Sequence, residues 1–210
     1  GKRVAIVLCL VFMLTGLVIG FVSETGIFYY LLTYFIINII YTFKLKHVAI
    51  IDINIIAIGF ILRVLIGGEA ACVTVSKWLI LLTFLLALVL ALGKRRGELI
   101  GINDGLGKKT RSSLDGYSIP FIDASIYIIC AVAVVAYIMY CFSEEIQLSL
   151  GTEKIYFSVV IVMAAILRYL QQTIVFNQTE SPTRVLYKDR FIQTALMIWI
   201  LFFWWLLYMG

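Results

Sequence analysis

A short basic stretch at residues 93–98 (GKRRGE) carries the residue types best suited to chemistry in this sequence. Lys94 and Glu98 are four positions apart, so they share one face if the preceding helix continues through them. Lysine and arginine can neutralise phosphate oxygens, and a carboxylate can bind a metal ion. The stretch is therefore either a plain cytoplasmic anchor at a membrane surface or a site for a phosphorylated substrate.

The composition is that of an integral membrane protein. Of the 210 residues, 63% are hydrophobic and only 14% are charged. Soluble domains contain roughly 45–50% apolar residues, so this chain has too little polar surface to cover itself in water. The apolar runs have helix length and lack the two-residue alternation of an outer-membrane barrel. We therefore predict an all-α, polytopic transmembrane helical bundle.

Seven apolar runs approach or reach the length of a membrane-spanning helix. They occupy residues 4–22, 27–41, 48–66, 78–92, 121–142, 155–176 and 191–208. We predict that they form one transmembrane domain over residues 1–210, with a cytoplasmic loop at 93–120.

Basic residues collect on one side of the predicted spans, and the positive-inside rule makes that side cytoplasmic. They are Lys2, Arg3, Lys44, Lys46, Lys94, Arg95, Arg96, Lys108, Lys109, Arg111, Arg184, Lys188 and Arg190. The connections on the opposite side carry only Lys77 and Lys154 as lysine or arginine. We therefore expect a multi-pass protein of the cell (inner) membrane, with residues 93–98 facing the cytoplasm and the C-terminus outside.

Two carboxylates lie within the spans near their cytoplasmic ends, Asp52 and Asp123. Intramembrane charge is costly and usually faces the bundle interior or a water-filled cavity. We expect both carboxylates, together with Lys44, Lys46 and residues 94–98, to line one polar cavity open to the cytoplasm.

Three of the intramembrane charges can also be explained by a purely structural role. Arg63 lies near the outer end of its span and can snorkel to the interface. Asp123 can act as a helix-start carboxylate favoured by the macrodipole. Arg168 and Gln172 share a helix face and can tie helices together. The loop cations can serve topology alone, whereas topology does not require Glu98.

Cysteine and histidine usage excludes several kinds of site. The 4 cysteines are scattered and the chain has 1 histidine, so no zinc site, iron–sulfur site or disulfide framework is predicted. We expect no nucleic-acid partner. Formation of a homo-oligomer is compatible with the sequence.

Two motif blocks resemble the decaprenyl-phosphate phosphoribosyltransferases, which belong to the UbiA superfamily of intramembrane prenyltransferases. The first block comprises Tyr41, Lys44, Lys46, Asp52, Gly59, Phe60 and Arg63, and the second comprises Lys94, Arg95, Arg96 and Glu98. The resemblance extends from about residue 30 to the end of the chain and includes residues 111–117, Arg168, Pro182 and residues 188–190.

The resemblance implies a nine-helix fold with two Asp-rich motifs, of which this chain supplies the third to ninth helices. The first motif, with the principal Mg²⁺ ligands, would then lie upstream of Gly1. The second motif is DxxxD in enzymes that use prenyl diphosphates, and Lys94 and Glu98 take its place here. The added cation favours a donor with an extra phosphate.

By resemblance, the reaction transfers 5-phosphoribose from 5-phosphoribosyl 1-diphosphate to a polyprenyl phosphate, releases diphosphate and requires Mg²⁺. The expected roles are a metal or ribose contact for Glu98, phosphate contacts for Lys94, Arg95, Lys44, Lys46 and Arg111, and ordering of Lys44 or Lys46, or a ribose contact, for Asp52.

Two alternatives remain open. A prenyltransferase of the same superfamily would use a prenyl diphosphate donor and an aromatic or polar acceptor, and its mark would be a second DxxxD, which this sequence lacks. A transporter or non-catalytic membrane protein is the other alternative. A transporter would be expected to show inverted repeats and broken mid-membrane helices, and the sequence shows neither.

Overall fold

The computed structural model describes residues 1–23, 25–103, 105, 112–177 and 188–209, and the regular elements in these ranges are helical. The α-helices are α1 (Lys2–Ser23), α2 (Thr25–Phe43), α3 (Ile51–Ala70), α4 (Lys77–Asn103), α5 (Ile119–Phe142), α6 (Glu144–Leu150), α7 (Ser158–Leu170) and α8 (Arg190–Met209). Short 3₁₀ turns occur at Leu45–His47, Ser112–Gly116 and Lys154–Phe157, and a π-helical turn, Gln171–Val175, extends α7.

The all-α polytopic prediction is confirmed. Within the described residues, 6 helical segments are long and apolar enough to cross a membrane. They are Gly26–Phe43, Ile51–Ala70, Lys77–Asn103, Ile119–Phe142, Lys154–Val175 and Arg190–Tyr208. Helix α1 occupies the first predicted span, and its described apolar segment, Val11–Val22, is shorter. The short helix α6 was not predicted.

Helix α4 corrects the predicted loop. The helix runs from Lys77 to Asn103 without a break, so the loop cannot begin at residue 93. Lysine, arginine and glutamate are good helix formers, and the buried side chains of Arg95 and Arg96 hold this end of α4 against its neighbours. Because the helix continues through residues 93–98, Lys94 and Glu98 do share a face.

The helices pack largely in chain order: α1 on α2, α2 on α3, α3 on α4, α4 on α5, α5 on α7 and α7 on α8. Small side chains on α3, α4 and α5 allow close approach of the backbones, as is usual between membrane helices. The buried alanines of this interface are Ala57, Ala87, Ala91, Ala133 and Ala136. The main core contains Ala57, Ala87 and Ala91 together with Leu92, Ile122 and Ile126, whereas Ala133 and Ala136 pack in a smaller cluster with Leu85.

Arg63 contacts aromatic side chains of α2 and α3. Its Nη2 donates to the Tyr34 hydroxyl at 2.6 Å, and its guanidinium lies 4.9 Å from the ring of Phe60, one turn back along the helix. Tyr34 is the middle residue of α2, so Arg63 connects α3 to that helix. The hydrogen bond and the cation–π contacts offset part of its desolvation.

Replacing Ile122 with alanine should lower the thermal stability of the detergent-solubilised protein. Ile122 is 0% exposed in the α4–α5 core, and a vacated core site costs about 2 kcal/mol or more in lost packing. Ile128→Ala on the same helix is the control, because that side chain is 64% exposed. Equal melting temperatures for the two variants would contradict this packing.

Candidate functional site

A buried polar cluster connects three parts of the chain: the start of α3, the end of α4 and the connection between α4 and α5. We call Asp52, Arg95, Glu98, Ser113 and Tyr117 the Asp52 cluster. Arg95 Nε donates to Asp52 Oδ2 at 2.8 Å, and Arg95 Nη1 donates to Glu98 Oε2 at 2.9 Å. Tyr117 donates to Asp52 Oδ1 at 2.6 Å, and Ser113 donates to Asp52 Oδ2 at 3.3 Å.

Local structure places each member of the Asp52 cluster. Asp52 lies in the first turn of α3, and Arg95 and Glu98 are one turn apart near the end of α4. The Ser112–Gly116 turn and the residue after it place the side chains of Ser113 and Tyr117 against the Asp52 carboxylate. Burial, followed by the hydrogen bond to Asp52, raises the pKa of the Tyr117 phenol. The phenol is therefore protonated at neutral pH and can donate to the carboxylate.

The members of the Asp52 cluster differ in their exposure to solvent. Asp52 and Arg95 are both 0% exposed, whereas the Glu98 side chain is 23% exposed. Arg95 Nη2 is buried and has no hydrogen-bond partner among the described residues. A buried guanidinium nitrogen without an acceptor is costly, so an acceptor oxygen placed beside this nitrogen would stabilise the cluster.

The predicted lysines lie outside the Asp52 cluster. Lys94 is exposed on α4, Lys44 is exposed just after α2, and Lys46 is half-buried in the following 3₁₀ turn. The next residue of that turn, His47, approaches Ser112 Oγ at 2.9 Å, which joins the two connections. Arg111 lies outside the described residues.

Asp52 orders an arginine and not a lysine, because the first turn of α3 directs its carboxylate at α4. The structure thereby brings Asp52, Arg95 and Glu98 together and leaves Lys44, Lys46 and Lys94 at the surface of the same end of the bundle.

A second buried arginine uses the other predicted carboxylate. Arg96 Nε donates to Asp123 Oδ1 at 2.7 Å, and Arg96 Nη1 donates to the Thr173 carbonyl at 2.8 Å and to Asn177 Oδ1 at 2.7 Å. Consecutive helical residues point about 100° apart, so Arg95 and Arg96 reach opposite neighbours of α4. Asp52 and Asp123 therefore belong to two separate ion pairs, with Arg95 and Arg96 respectively, although the sequence predicts that they line one cavity.

The helix-tying role of Arg168 and Gln172 is observed. Arg168 Nη2 lies 2.7 Å from Asp189 Oδ2, and Gln172 donates to the same oxygen, which connects α7 to the start of α8. Burial alone would raise the pKa of Asp189, but the bonds from Arg168, the Ile192 N–H and Gln172 lower it. Asp189 therefore stays ionised at neutral pH, and its stabilising effect is lost as the pH falls through that lowered value.

Sequence reasoning missed the roles of Tyr117, Ser113 and Arg96. The useful signal was that Asp52 and Asp123 lie at the same membrane level as two consecutive arginines. Each carboxylate needed a cation, and the helical rotation between Arg95 and Arg96 supplies one on each side.

Curated relatives are similar to this sequence over about four fifths of its length. The chain is 31% identical over 173 residues to a decaprenyl-phosphate phosphoribosyltransferase of Mycolicibacterium smegmatis, which covers 80% of this chain and 54% of the relative. It is 29% identical to the Corynebacterium glutamicum protein of that name, with 80% and 50% covered, and 27% identical to that of Mycobacterium tuberculosis, with 81% and 55% covered. No protein-family model matches the sequence.

The solved structure of a UbiA homolog from Archaeoglobus fulgidus bound to Cd²⁺ has the same fold. It aligns with a TM-score of 0.67 at 16% sequence identity, over 99% of this chain and 74% of that one. The chain has the fold of that UbiA homolog and is similar in sequence to the phosphoribosyltransferases named above. The recognition made from the motif blocks is confirmed. The chain spans about half the length of the curated relatives that it matches.

The described residues include one candidate ligand for a divalent metal ion. Among them, no group of three or more His, Cys, Asp or Glu side chains is close enough to hold a metal ion. Mg²⁺ is usually bound by one or two carboxylates, substrate phosphates and waters. Glu98 is partly exposed and fits as one such ligand, whereas Asp52 is fully buried.

Replacing Asp123 with alanine should destabilise the UbiA fold, because Arg96 would lose its carboxylate. Breaking a buried ion pair costs about 3–5 kcal/mol, and the 21% exposure of Asp123 places this pair near the lower limit. Thermal unfolding in detergent measures the loss, and Asp123→Asn, which keeps an acceptor oxygen, should lose less. The exposed Glu145 provides the control variant Glu145→Ala; a similar loss there would argue against a specific role for the Arg96–Asp123 pair.

Proposed function

We propose that this protein is a membrane transferase that moves 5-phosphoribose from 5-phosphoribosyl 1-diphosphate to a polyprenyl phosphate and releases diphosphate. One observation carries the proposal: a buried arginine holds Glu98 beside the exposed Lys94, on a UbiA fold whose curated relatives are named decaprenyl-phosphate phosphoribosyltransferases. A cation and a carboxylate on one accessible helix face suit a donor that carries phosphate groups and a ribose.

The charges favour this donor over a plain prenyl diphosphate. The donor has a 5-phosphate in addition to its diphosphate, so it needs more cations. Lys94 and the unpartnered Nη2 of Arg95 are the proposed phosphate contacts, and Lys44 and Lys46 add positive charge at the same end. Arg111 is proposed as a further contact from sequence alone.

In the proposed reaction, an oxygen of the lipid phosphate attacks the anomeric carbon. A new carbon–oxygen bond forms, the bond to the diphosphate breaks, and its electron pair leaves with the diphosphate. Lys94 and Arg95 stabilise the charge that develops on the leaving group. Mg²⁺, when bound, would offset part of the diphosphate charge, and Glu98 would supply one ligand.

A contact of Glu98 with the ribose hydroxyls is proposed as well, because its side chain is partly exposed. Both carboxylate oxygens of Asp52 already accept hydrogen bonds from Arg95, Ser113 and Tyr117, so we propose that Asp52 acts by fixing Arg95.

The test of the reaction uses the full-length protein in liposomes with polyprenyl phosphate. Labelled 5-phosphoribosyl 1-diphosphate should transfer its label to the lipid fraction with release of diphosphate. A parallel reaction with a labelled prenyl diphosphate and an aromatic acceptor examines the alternative prenyl transfer. Transfer only in that second reaction, or in neither, would show that the proposed function is wrong.

Glu98→Gln and Lys94→Ala should each lower kcat/KM for the donor about 10- to 100-fold. A hydrogen bond to a charged group contributes about 1.5–3 kcal/mol, and about 1.4 kcal/mol corresponds to tenfold. Lys77→Ala is the matched control, since Lys77 is an exposed lysine at the opposite end of α4. Full activity in the Lys94→Arg and Glu98→Asp variants would rule out close contacts at these positions.

We also propose that the Asp52 cluster faces the cytoplasm in the inner membrane, because the basic connections lie at that end. Cys72 is exposed at the opposite end, in the connection between α3 and α4. An impermeant maleimide should therefore label Cys72 in spheroplasts, and Cys72→Ser should remove the label from that position. In a Cys72→Ser background, Lys44→Cys should react only after permeabilisation; the opposite pattern would reverse the topology.

A further inference from the structure

Tyr117 holds together two connections that carry proposed substrate contacts. Its hydroxyl accepts from the Ile50 N–H at 2.7 Å and donates to Asp52 Oδ1 at 2.6 Å. Its side chain is only 7% exposed, so both bonds are shielded from water. The phenol thus binds the residues on either side of the first residue of α3.

The backbone around Tyr117 is adapted to this contact. Ile50 has φ 68° and ψ −46°, an unfavourable conformation for a β-branched residue, which persists only where surrounding contacts hold it. A Cβ at Gly116 would lie 2.5 Å from Ala49 Cβ, so glycine allows the two connections to meet. The Ile50 N–H that this conformation presents is the one that Tyr117 binds.

The hydrogen bonds continue from Tyr117 to the accessible carboxylate. Asp52 uses Oδ1 for Tyr117 and Oδ2 for Arg95 Nε, so the phenol fixes the plane of the carboxylate that orients the guanidinium. Arg95 Nη1 then holds Glu98. Rotation of the Asp52 carboxylate would turn the guanidinium, because that carboxylate is its buried acceptor, and would release Glu98 from its position.

We propose that Tyr117 is a positioning residue for the donor site: through Asp52 it fixes Arg95, and through Arg95 it sets Glu98 for binding a diphosphate group together with Mg²⁺. The substrate in this statement rests on the proposed function, whereas the chain of contacts does not. Tyr117 touches neither substrate nor metal in this scheme, and its effect reaches them only through the Asp52 cluster.

The test measures binding of inorganic diphosphate, with Mg²⁺ present, to the purified full-length protein. Tyr117→Phe keeps the ring and removes both hydrogen bonds, and it should weaken diphosphate binding about tenfold. In a Glu98→Gln background the same substitution should change the affinity by less than about twofold, because the group that Tyr117 positions is already altered. Tyr127→Phe is the matched control, since Tyr127 is 48% exposed on α5.

Each outcome decides the role of Tyr117. Unchanged affinity in Tyr117→Phe overturns the proposal, and so does an equal loss in both backgrounds, since Tyr117 would then act independently of Glu98. Wild-type protein that binds diphosphate but transfers no phosphoribose contradicts the proposed function, and the affinity comparison still decides the role of Tyr117. Wild-type protein that does not bind diphosphate overturns both.

A second variant covers the case in which Tyr117→Phe does not fold. Ser113→Ala removes the longer bond to Asp52, at 3.3 Å, and leaves Tyr117 in place. It should weaken diphosphate binding about two- to threefold, in keeping with the weaker bond. Unchanged affinity in Ser113→Ala would then overturn the proposal.

Discussion

The buried ion pair between Asp52 and Arg95 is the constraint on which the polar end of this bundle depends. Both side chains are fully buried, and removing either partner would leave an uncompensated charge in a region of low dielectric constant. The pair therefore fixes the end of α4 against the start of α3. Everything proposed for Glu98 follows from this, because the same guanidinium binds both carboxylates.

Two consecutive arginines give the end of α4 its rigidity. Arg95 is directed at α3, whereas Arg96 is directed at α5 and at the π-helical turn after α7. Internal ion pairs thus account for two of the three cations in residues 93–98, and Lys94 remains exposed for a substrate or for water. Such π-helical turns are frequent near functional sites, and here the turn offers the Thr173 carbonyl to Arg96.

The residues of the stretch 93–98 do not all have the same role, so neither a membrane anchor nor a substrate site describes the whole stretch. Arg95 and Arg96 are structural in the sense that buried carboxylates bind them, so they are not free basic residues of a solvated loop. Glu98 is the residue that topology did not require, and Arg95 holds it at the boundary between the core and the surface. The phosphate contacts proposed for Lys44, Lys46 and Lys94 are compatible with their positions at the surface of this end.

The sequence by itself determined the all-α membrane class, the approximate spans and the resemblance to the phosphoribosyltransferases, because hydrophobic run length and local motifs are properties of contiguous residues. Only the tertiary structure decided which charges pair, because ion pairs join residues that are distant in the chain and depend on helix rotation. Asp52 and Tyr117 are 65 positions apart, and no local pattern connects them. The continuation of α4 to Asn103 also depends on tertiary packing. Packing buries charged residues that the sequence pattern assigns to a loop.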